Sequence, residues 1–303
     1  VKIREHAAIE LPHVMLLVDD PIDGQNTDGC MEASRENVIN IGAVKHGIIE
    51  GVYAIRDTFR KLYDTDLMQG GGHIRGYAIE GEAAKQVTEA FAAKQESCGG
   101  FLFAVGDGNH SLATAKTCWE NIKKTGKFTE EQLKTHPARH ALVEICNLHS
   151  EALEFKPIHR LLTNVDVKDM LSFFEAEITK QGLESTEGDE IVFEYVESGA
   201  TAIKNSGINI TNRGDRLPVE ILQGILDKYL ETHDNVEIDY IHGDEALHGL
   251  VKETKGCGIF LQSIDKSTLF PAINAGGVLP RKTFSIGEAN EKRYYMECHK
   301  ISM

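Results

Sequence analysis

The chain has 303 residues, with 47 acidic against 32 basic side chains and a formal net charge of −15. Its composition, 41% hydrophobic and 26% charged, is that of a globular protein of one large or two ordinary domains, which excludes disorder, collagen and a long coiled coil. The acidic surplus disfavours a protein that coats DNA, because such proteins neutralise phosphates with Lys and Arg. A small anionic ligand stays compatible, since a local site can be positive on an acidic protein.

The apolar runs and the cysteines indicate the cellular compartment. The runs at 14–18 and 101–105 have the length of strands and fall far short of the ~20 residues that a membrane helix needs. We see no signal peptide at the start of the chain. The six cysteines show neither CxxC nor zinc-site spacing, which predicts reduced core thiols. We therefore expect a cytoplasmic protein that does not bind membranes.

Hydrophobic periodicity predicts strands and helices that alternate without a regular βαβ rhythm. The elements predicted in chain order are a strand over 11–19, helices over 47–66 and 81–96, a strand over 101–105, a helix over 109–124, a strand over 141–148, a helix over 166–181, a strand over 191–196, a helix over 217–231 and strands over 236–241 and 258–264. This order favours an α+β fold of mixed sheets with flanking helices. The amino-acid composition changes after Leu162, which predicts an α+β domain over 1–162 and a C-terminal α+β domain over 163–303.

The strongest candidate site is the GDGNHS segment over 106–111, where an apolar strand runs directly into a helix. Glycines permit close approach to a ligand, and a helix N-terminus presents free N–H groups to an anion. His110 could transfer a proton or donate to a phosphate, and Asp107 could hold a cation. The alternative is purely structural, with Asp107 or Asn109 as the helix N-cap. The segment is not a Walker A loop, which ends in Gly-Lys-Ser/Thr.

Three weaker candidates place His or Arg next to turn signals. In the GGGHIRG segment over 70–76, His73 and Arg75 lie two apart and share one face of a strand, which suits an anion beside a titratable imidazole. The segments 157–160 (PIHR) and 279–283 (LPRKT) are the other two. The alternative for each is an exposed turn or a surface pair without function.

Residues 103–116 (FAVGDGNHSLATAK) resemble the family called domain of unknown function 1015. Supporting segments are 11–21 (LPHVMLLVDDP), 70–77 (GGGHIRGY), 136–148 (HPARHALVEICNL), 157–161 (PIHRL) and 279–293 (LPRKTFSIGEANEKR). The resemblance implies a ParB/sulfiredoxin-like element around the GDGNHS turn, in a group of folds that bind nucleotides or phosphates. Free serine kinases with a similar fold carry an Asp-Gly-His-His-Arg type motif, which Asp107 to Ser111 resembles. Ser111 stands where that motif has Arg, so the missing guanidinium must come from elsewhere, with Arg75 and Arg160 as candidates.

The resemblance implies a phosphate- or nucleotide-binding enzyme that transfers or hydrolyses the phosphoryl group of a small phosphoester, linked to serine metabolism through phosphoserine. Such an enzyme would be a metal-assisted phosphatase or kinase of small metabolites that uses Mg²⁺ or Mn²⁺ and a nucleotide. Two alternatives stay open. One is a nucleotide-binding switch without turnover, and the other is a ParB-like accessory of DNA partitioning, which the charge of −15 disfavours. The sequence does not indicate the oligomeric state.

The candidate residues fall into three roles. Asp107, His110 and His73 are the candidate catalytic residues, Asp107 is the candidate metal ligand, and the candidate phosphate or substrate contacts are Gly106, Gly108, Asn109, Ser111, Gly71, Gly72, Arg75, His159, Arg160 and Arg281. Two departures from the family pattern accompany them. We expect the chain to lack an N-terminal part that members of the family have, and residues 22–45 are expected to be an insertion without a catalytic role.

Overall fold

A computed structural model of the chain describes residues 1–21, 47–197, 200–287 and 296–303. The predicted insertion over 22–45 lies outside the described residues. The described residues mix helices with several sheets, so the α+β prediction is confirmed. None of the helices described is both long and apolar enough to span a bilayer.

The elements follow one another along the chain in this order: β1 (Ile9–Glu10), β2 (Met15–Val18), α1 (Ile48–Ala54), β3 (Arg60–Asp66), β4 (His73–Ala78), α2 (Gly81–Ser97), β5 (Phe103–Asp107), α3 (Asn109–Lys124), α4 (Glu130–Thr135), β6 (Glu144–Asn147), β7 (Phe155–Thr163), α5 (Val167–Lys180), β8 (Glu184–Val196), β9 (Ile203–Thr211), α6 (Pro218–Leu230), β10 (Glu237–His242), α7 (Asp244–Thr254), β11 (Cys257–Leu261), α8 (Lys266–Gly276), β12 (Phe284–Ile286) and β13 (His299–Lys300).

The chain divides into two compact units. Unit 1 comprises Val1–Leu153 with Ala289–Met303, and unit 2 comprises Glu154–Glu288. The boundary predicted between residues 162 and 163 falls inside β7, a strand of unit 2. The change in composition there marks the end of a strand, whereas the units follow from long-range strand pairing, which composition does not reveal.

Unit 1 contains a three-stranded sheet of order β5-β2-β6, in which β2 pairs antiparallel with β5 and parallel with β6. Leu17 and Val18 of β2 are fully buried in it. The carboxyl ends of β2 and β6 meet at one edge, where the side-chain amide of Asn147 donates to the backbone carbonyl of Asp20 at 2.8 Å. The Asp20 carboxylate in turn lies 2.9 Å from Nζ of Lys94, which ties α2 to this edge.

The helix predicted over 47–66 is wrong in its second half. Helix α1 ends at Ala54, and residues 60–66 form β3, which pairs antiparallel with β4 in a hairpin. The turn between these strands contains Gly70 and Gly72 at φ of 71° and 82°, values that glycine adopts without steric cost. Pairing with a strand further along the chain supplies the backbone partners of 60–66, and this pairing outweighs the local helical periodicity.

Unit 2 is built on an antiparallel sheet of order β10-β7-β11-β8-β9, with β12 also paired to β7. Helices α5 and α6 pack in a hydrophobic core with one face of the sheet, through side chains such as Phe174, Phe193 and Leu222. Helix α7 packs through Leu247 and Val251 on Leu161 of β7. Strand β7, which lies between β10 and β11, is therefore covered on both faces, and its residues Ile158 to Leu162 are all buried.

Candidate functional site at the N-terminus of helix α3

The predicted strand, turn and helix at 101–124 are confirmed, with Gly108 as the single residue between β5 and α3. Gly108 has φ of 89°, in the left-handed region that disfavours any side chain. A Cβ atom there would also lie against the carbonyl oxygen of His13 and 2.7 Å from Cα of Val14. The turn thus packs on the backbone that leads into β2, and only glycine fits both its conformation and its contact.

The Asp107 carboxylate is fixed at the start of α3. One of its oxygens, Oδ1, accepts the backbone N–H of Gly108 at 2.7 Å, and Oδ2 lies 3.3 Å from Nδ1 of His13. Gly108 is the N-cap of α3, and no side chain caps this end through a hydrogen bond. Neither Asp107 nor Asn109 is therefore the capping residue, and the contacts that Asp107 does make hold the turn against the backbone of Gly108 and the side chain of His13. Because the first N–H groups of a helix have no acceptor within the helix, those of α3 are candidate donors to an anionic ligand.

A cavity of about 410 Å³ borders the first turns of α3. His110, Ser111 and Thr114 line it from the helix, and residues from the segment 1–12 line it from the other side. Its helix side therefore carries an imidazole and two hydroxyl groups. Of the predicted site residues in the turn, His110 and Ser111 line the cavity. The others, Gly106, Asp107, Gly108 and Asn109, are not among its lining residues.

Arg4 and Glu10, which are not among the predicted site residues, also line this cavity. Nε of Arg4 donates to Oε2 of Glu10 at 2.6 Å. Burial disfavours the charged form of Glu10 and is the largest single influence, but the hydrogen bonds and positive charges of Arg4 and His299 together outweigh it and lower the pKa of Glu10 below its usual value. No motif marks either residue, because their approach to α3 depends on how the segment 1–12 folds back onto the helix.

The second candidate, His73 with Arg75, lies on the exposed hairpin and is paired with carboxylates of its own unit. Nδ1 of His73 lies 2.6 Å from Asp66, its Nε2 lies 2.6 Å from Asp64, and Nε of Arg75 lies 3.4 Å from Asp64. Hydrogen bonds to Asp66 and Asp64 raise the pKa of His73. Those from Lys61 and His73 lower the pKa of Asp64 to about 2. The carboxylates therefore offset the positive charge that was predicted to attract an anion.

Gly71 and Gly72 belong to the turn of this hairpin, where the carbonyl of Gly72 accepts the backbone N–H of Leu67 at 2.7 Å.

His159 and Arg160 lie on β7 of unit 2, and both are buried. Nδ1 of His159 accepts the backbone N–H of Leu261 at 3.2 Å, which leaves Nε2 to donate to Asp244 at 2.8 Å. Burial lowers the pKa of His159. The imidazole thus holds the end of β11 and the start of α7, and its predicted contact with a phosphate stays a prediction.

The Arg160 side chain is fully enclosed, at 0% exposure. Its Nε donates to Gln223 of α6 at 3.0 Å, Nη1 donates to the carbonyl of Ile158, and the guanidinium lies over the ring of Tyr240. Burial lowers the pKa of this group to about 10, so it remains charged at neutral pH. The structure gives Arg160 partners inside unit 2 and no exposed surface. Arg281, the remaining candidate, is exposed in a turn of unit 2.

Comparison with protein-family models gives one match, over residues 48–207, to a family described as a protein of unknown function, DUF1015. The chain belongs to this family. The predicted family is therefore confirmed, whereas the ParB/sulfiredoxin-like element stays a prediction. The hairpin, the GDGNHS turn and β7 all lie inside the matched residues, and Arg4, Glu10 and Arg281 lie outside them. A comparison with curated proteins finds no match.

Among solved structures, the chain is similar to a conserved hypothetical protein from Pyrococcus furiosus, at 16% identity and a TM-score of 0.38, covering 62% of this chain and 71% of that one. It is also similar to a free serine kinase variant in complex with ADP, at 13% identity and a TM-score of 0.41, covering 66% and 72%. A free serine kinase in complex with AMP gives 16% identity and a TM-score of 0.40, again covering 66% and 72%.

Proposed function

We propose that the chain binds a small phosphorylated ligand in the cavity at the start of α3 and transfers or hydrolyses its phosphoryl group. The observation that carries this proposal is the placement of Ser111, Thr114 and His110 on one wall of a cavity of about 410 Å³, at a helix end without a side-chain cap. Hydroxyl groups and free N–H groups are the donors that phosphate oxygens accept. An imidazole beside them can accept or donate the proton that moves in the reaction.

The opposite wall of the cavity favours a ligand with an apolar part. Val1, Ile3, Ile9 and Leu11 line it, and each of them is about half exposed or more. A nucleoside would cover such side chains, whereas phosphoserine alone would leave them in contact with water. A nucleotide is therefore the first ligand to test, with phosphoserine as the second substrate of a transfer or as the substrate of hydrolysis.

Asp107 is the residue that we propose for a divalent ion. Among the described residues, no group of three His, Cys, Asp or Glu side chains is arranged to hold a metal. Mg²⁺ is commonly held by one or two carboxylates and completes its shell with water and the phosphates of the substrate, so a single carboxylate fits it. The ion would neutralise charge on the phosphoryl group as it is transferred.

The proposal is tested by titrating ADP, AMP and phosphoserine into the protein in a calorimeter, with Ser111→Asp as the variant. A carboxylate on the cavity wall repels the phosphate, and we expect affinity to fall about tenfold or more. An acidic residue near a helix N-terminus is favourable, so the variant should fold. Thr117→Asp is the matched control, because Thr117 is exposed on the same helix and is not among the lining residues. Equal affinity in the parent and in Ser111→Asp, or no binding of any ligand, would contradict the proposal.

A switch that binds a nucleotide without turnover uses the same cavity. It is favoured if ADP binds as expected while neither ATP nor phosphoserine loses a phosphoryl group in the presence of Mg²⁺ or Mn²⁺.

A further inference from the structure

Helix α7 is attached to the sheet of unit 2 by a small apolar contact and by two histidine–carboxylate pairs. Its buried side chains are Leu247 and Val251, and they pack with Leu161 of β7 in a small cluster of their own. The helix lies close on β11, where a Cβ atom at Gly258 would stand 2.5 Å from Cγ2 of Val251. Two buried apolar side chains give limited hydrophobic stabilisation, so the polar contacts of α7 contribute to its docking.

The two pairs connect α7 to the sheet in opposite directions. Nε2 of His159 on β7 lies 2.8 Å from Asp244, the first residue of α7. One turn later, Nδ1 of His248 on α7 lies 2.7 Å from Oε2 of Glu194 on β8. Both imidazoles contact the ring of Phe260 on β11. The sheet member of each pair is almost fully buried, with side-chain exposures of 2% for His159 and 4% for Glu194.

His159 fits its place in the neutral form. Its Nδ1 accepts the backbone N–H of Leu261 at 3.2 Å, so the ring proton is on Nε2, which donates to Asp244. A second proton on Nδ1 would face the N–H of Leu261 and break this hydrogen bond, because two donors cannot pair. The pair of His248 and Glu194 differs, since Nδ1 of His248 can donate to the carboxylate whether the ring is neutral or protonated.

The ionisable groups that face His159 are Asp244 on α7, Arg160 on β7 and His242 on β10, whereas β11 contributes the ring of Phe260. Burial, together with the charges of Arg160 and His242, outweighs the attraction of Asp244 and lowers the pKa of His159. The folded state therefore prefers the neutral ring. The stability that this ring contributes is complete above the usual histidine pKa of about 6.5 and is lost as the pH falls through the lowered pKa.

We propose that His159 is an acid-sensitive latch for α7, whose neutral ring holds the start of α7 and the end of β11 on β7 and whose protonation releases both. The protonated ring leaves its buried place for water, which loosens the first turn of α7 over Leu161. The pair of His248 and Glu194 keeps the middle of the helix attached, so the release is local. This inference goes beyond the proposed function and does not depend on it, because the latch lies entirely within unit 2.

The test measures amide hydrogen exchange of the full chain by NMR at about pH 7.5 and about pH 5.5, expressed as protection factors. We expect protection of the Leu261 and Leu247 amides to fall roughly tenfold at the lower pH. These amides donate to the His159 ring and to the carbonyl of Gly243. His159→Gln keeps an oxygen and an N–H for the same two partners but takes up no proton, so its protection should not change with pH. Asp244→Asn keeps the accepting oxygen but removes the charge that favours the protonated ring, so the loss should shift to lower pH.

His233→Gln is the matched control, because it removes a partly exposed histidine of unit 2 that is paired with Asp169 instead of α7. It should lose protection at Leu261 as the parent does. The Met170 amide of α5 reports on unit 2 as a whole and should stay protected at both pH values. Unchanged protection in the parent, or an equal loss in the parent and in His159→Gln, would overturn the proposal. If His159→Gln does not fold, Asp244→Asn decides, and an unshifted pH dependence in that variant counts against the latch.

Discussion

Asp107→Asn is expected to lower the rate of phosphoryl transfer or phosphate release by a factor on the order of 100 or more. The substitution removes the charge that we propose for the divalent ion. It keeps the shape of the side chain and an oxygen that accepts the backbone N–H of Gly108, a hydrogen bond of 2.7 Å in the structure. The substitution should therefore lower the turnover rate and leave the thermal unfolding temperature nearly unchanged.

The assay measures phosphate release and transfer from ATP and from phosphoserine with Mg²⁺ or Mn²⁺. Glu131→Gln, at an exposed carboxylate of α4, is the control for loss of one negative charge in unit 1 and should be fully active. Full activity of Asp107→Asn would show that this carboxylate only shapes the turn. A parent protein that turns over neither substrate would contradict the enzymatic part of the proposal and favour the binding switch.

Gly108→Ala is expected to lower the free energy of unfolding by about 3 kcal/mol, from backbone strain together with overpacking. The residue has φ of 89°, and a Cβ atom would lie 2.7 Å from Cα of Val14 and against the carbonyl oxygen of His13. Both neighbours are backbone atoms, so the clash cannot be relieved by turning a side chain. The β5 turn and the segment before β2 would have to separate.

Gly126→Ala is the matched control for Gly108→Ala. Gly126 also has positive φ, at 66°, but no atom lies within 4 Å of the position of its Cβ. An alanine at this position therefore experiences the conformational strain alone, and we expect the free energy of unfolding to fall by about 1 kcal/mol. Chemical denaturation of the two variants separates the contribution of backbone strain from that of the clash with the neighbouring backbone. Equal losses in both would mean that the contact between Gly108 and the His13–Val14 backbone is absent in solution.

The turn at 106–111 was predictable because its signals are local. An apolar run, a glycine and a helical periodicity follow one another without a gap, and each maps directly onto β5, Gly108 and α3. The hairpin was not predictable in the same way. The helical spacing of apolar side chains that begins at Ile49 continues as far as Leu62, and only the pairing with β4 makes residues 60–66 a strand. The carboxylates of Asp64 and Asp66 beside His73 were missed for the same reason.

The placement of His159 and Arg160 shows a second limit of sequence reasoning. Their charge suggested a surface pair, but the strand that carries them lies in the interior of a sheet that is covered on both faces. Consecutive residues of a strand point to opposite faces, so the two side chains enter different layers of unit 2. Arg4 shows the converse, because a residue without any motif reaches the candidate site only through the fold of the segment 1–12.

We propose the cavity at the start of α3 as the binding site for a phosphorylated ligand. The most direct measurement is the change of backbone amide chemical shifts in the ¹⁵N-labelled protein as ADP is added. We predict the largest changes at Gly108, His110, Ser111 and Thr114 on α3 and at Arg4 on the facing wall, with Ser111→Asp abolishing them. Changes confined to residues of unit 2, or no change at millimolar ADP, would contradict the account.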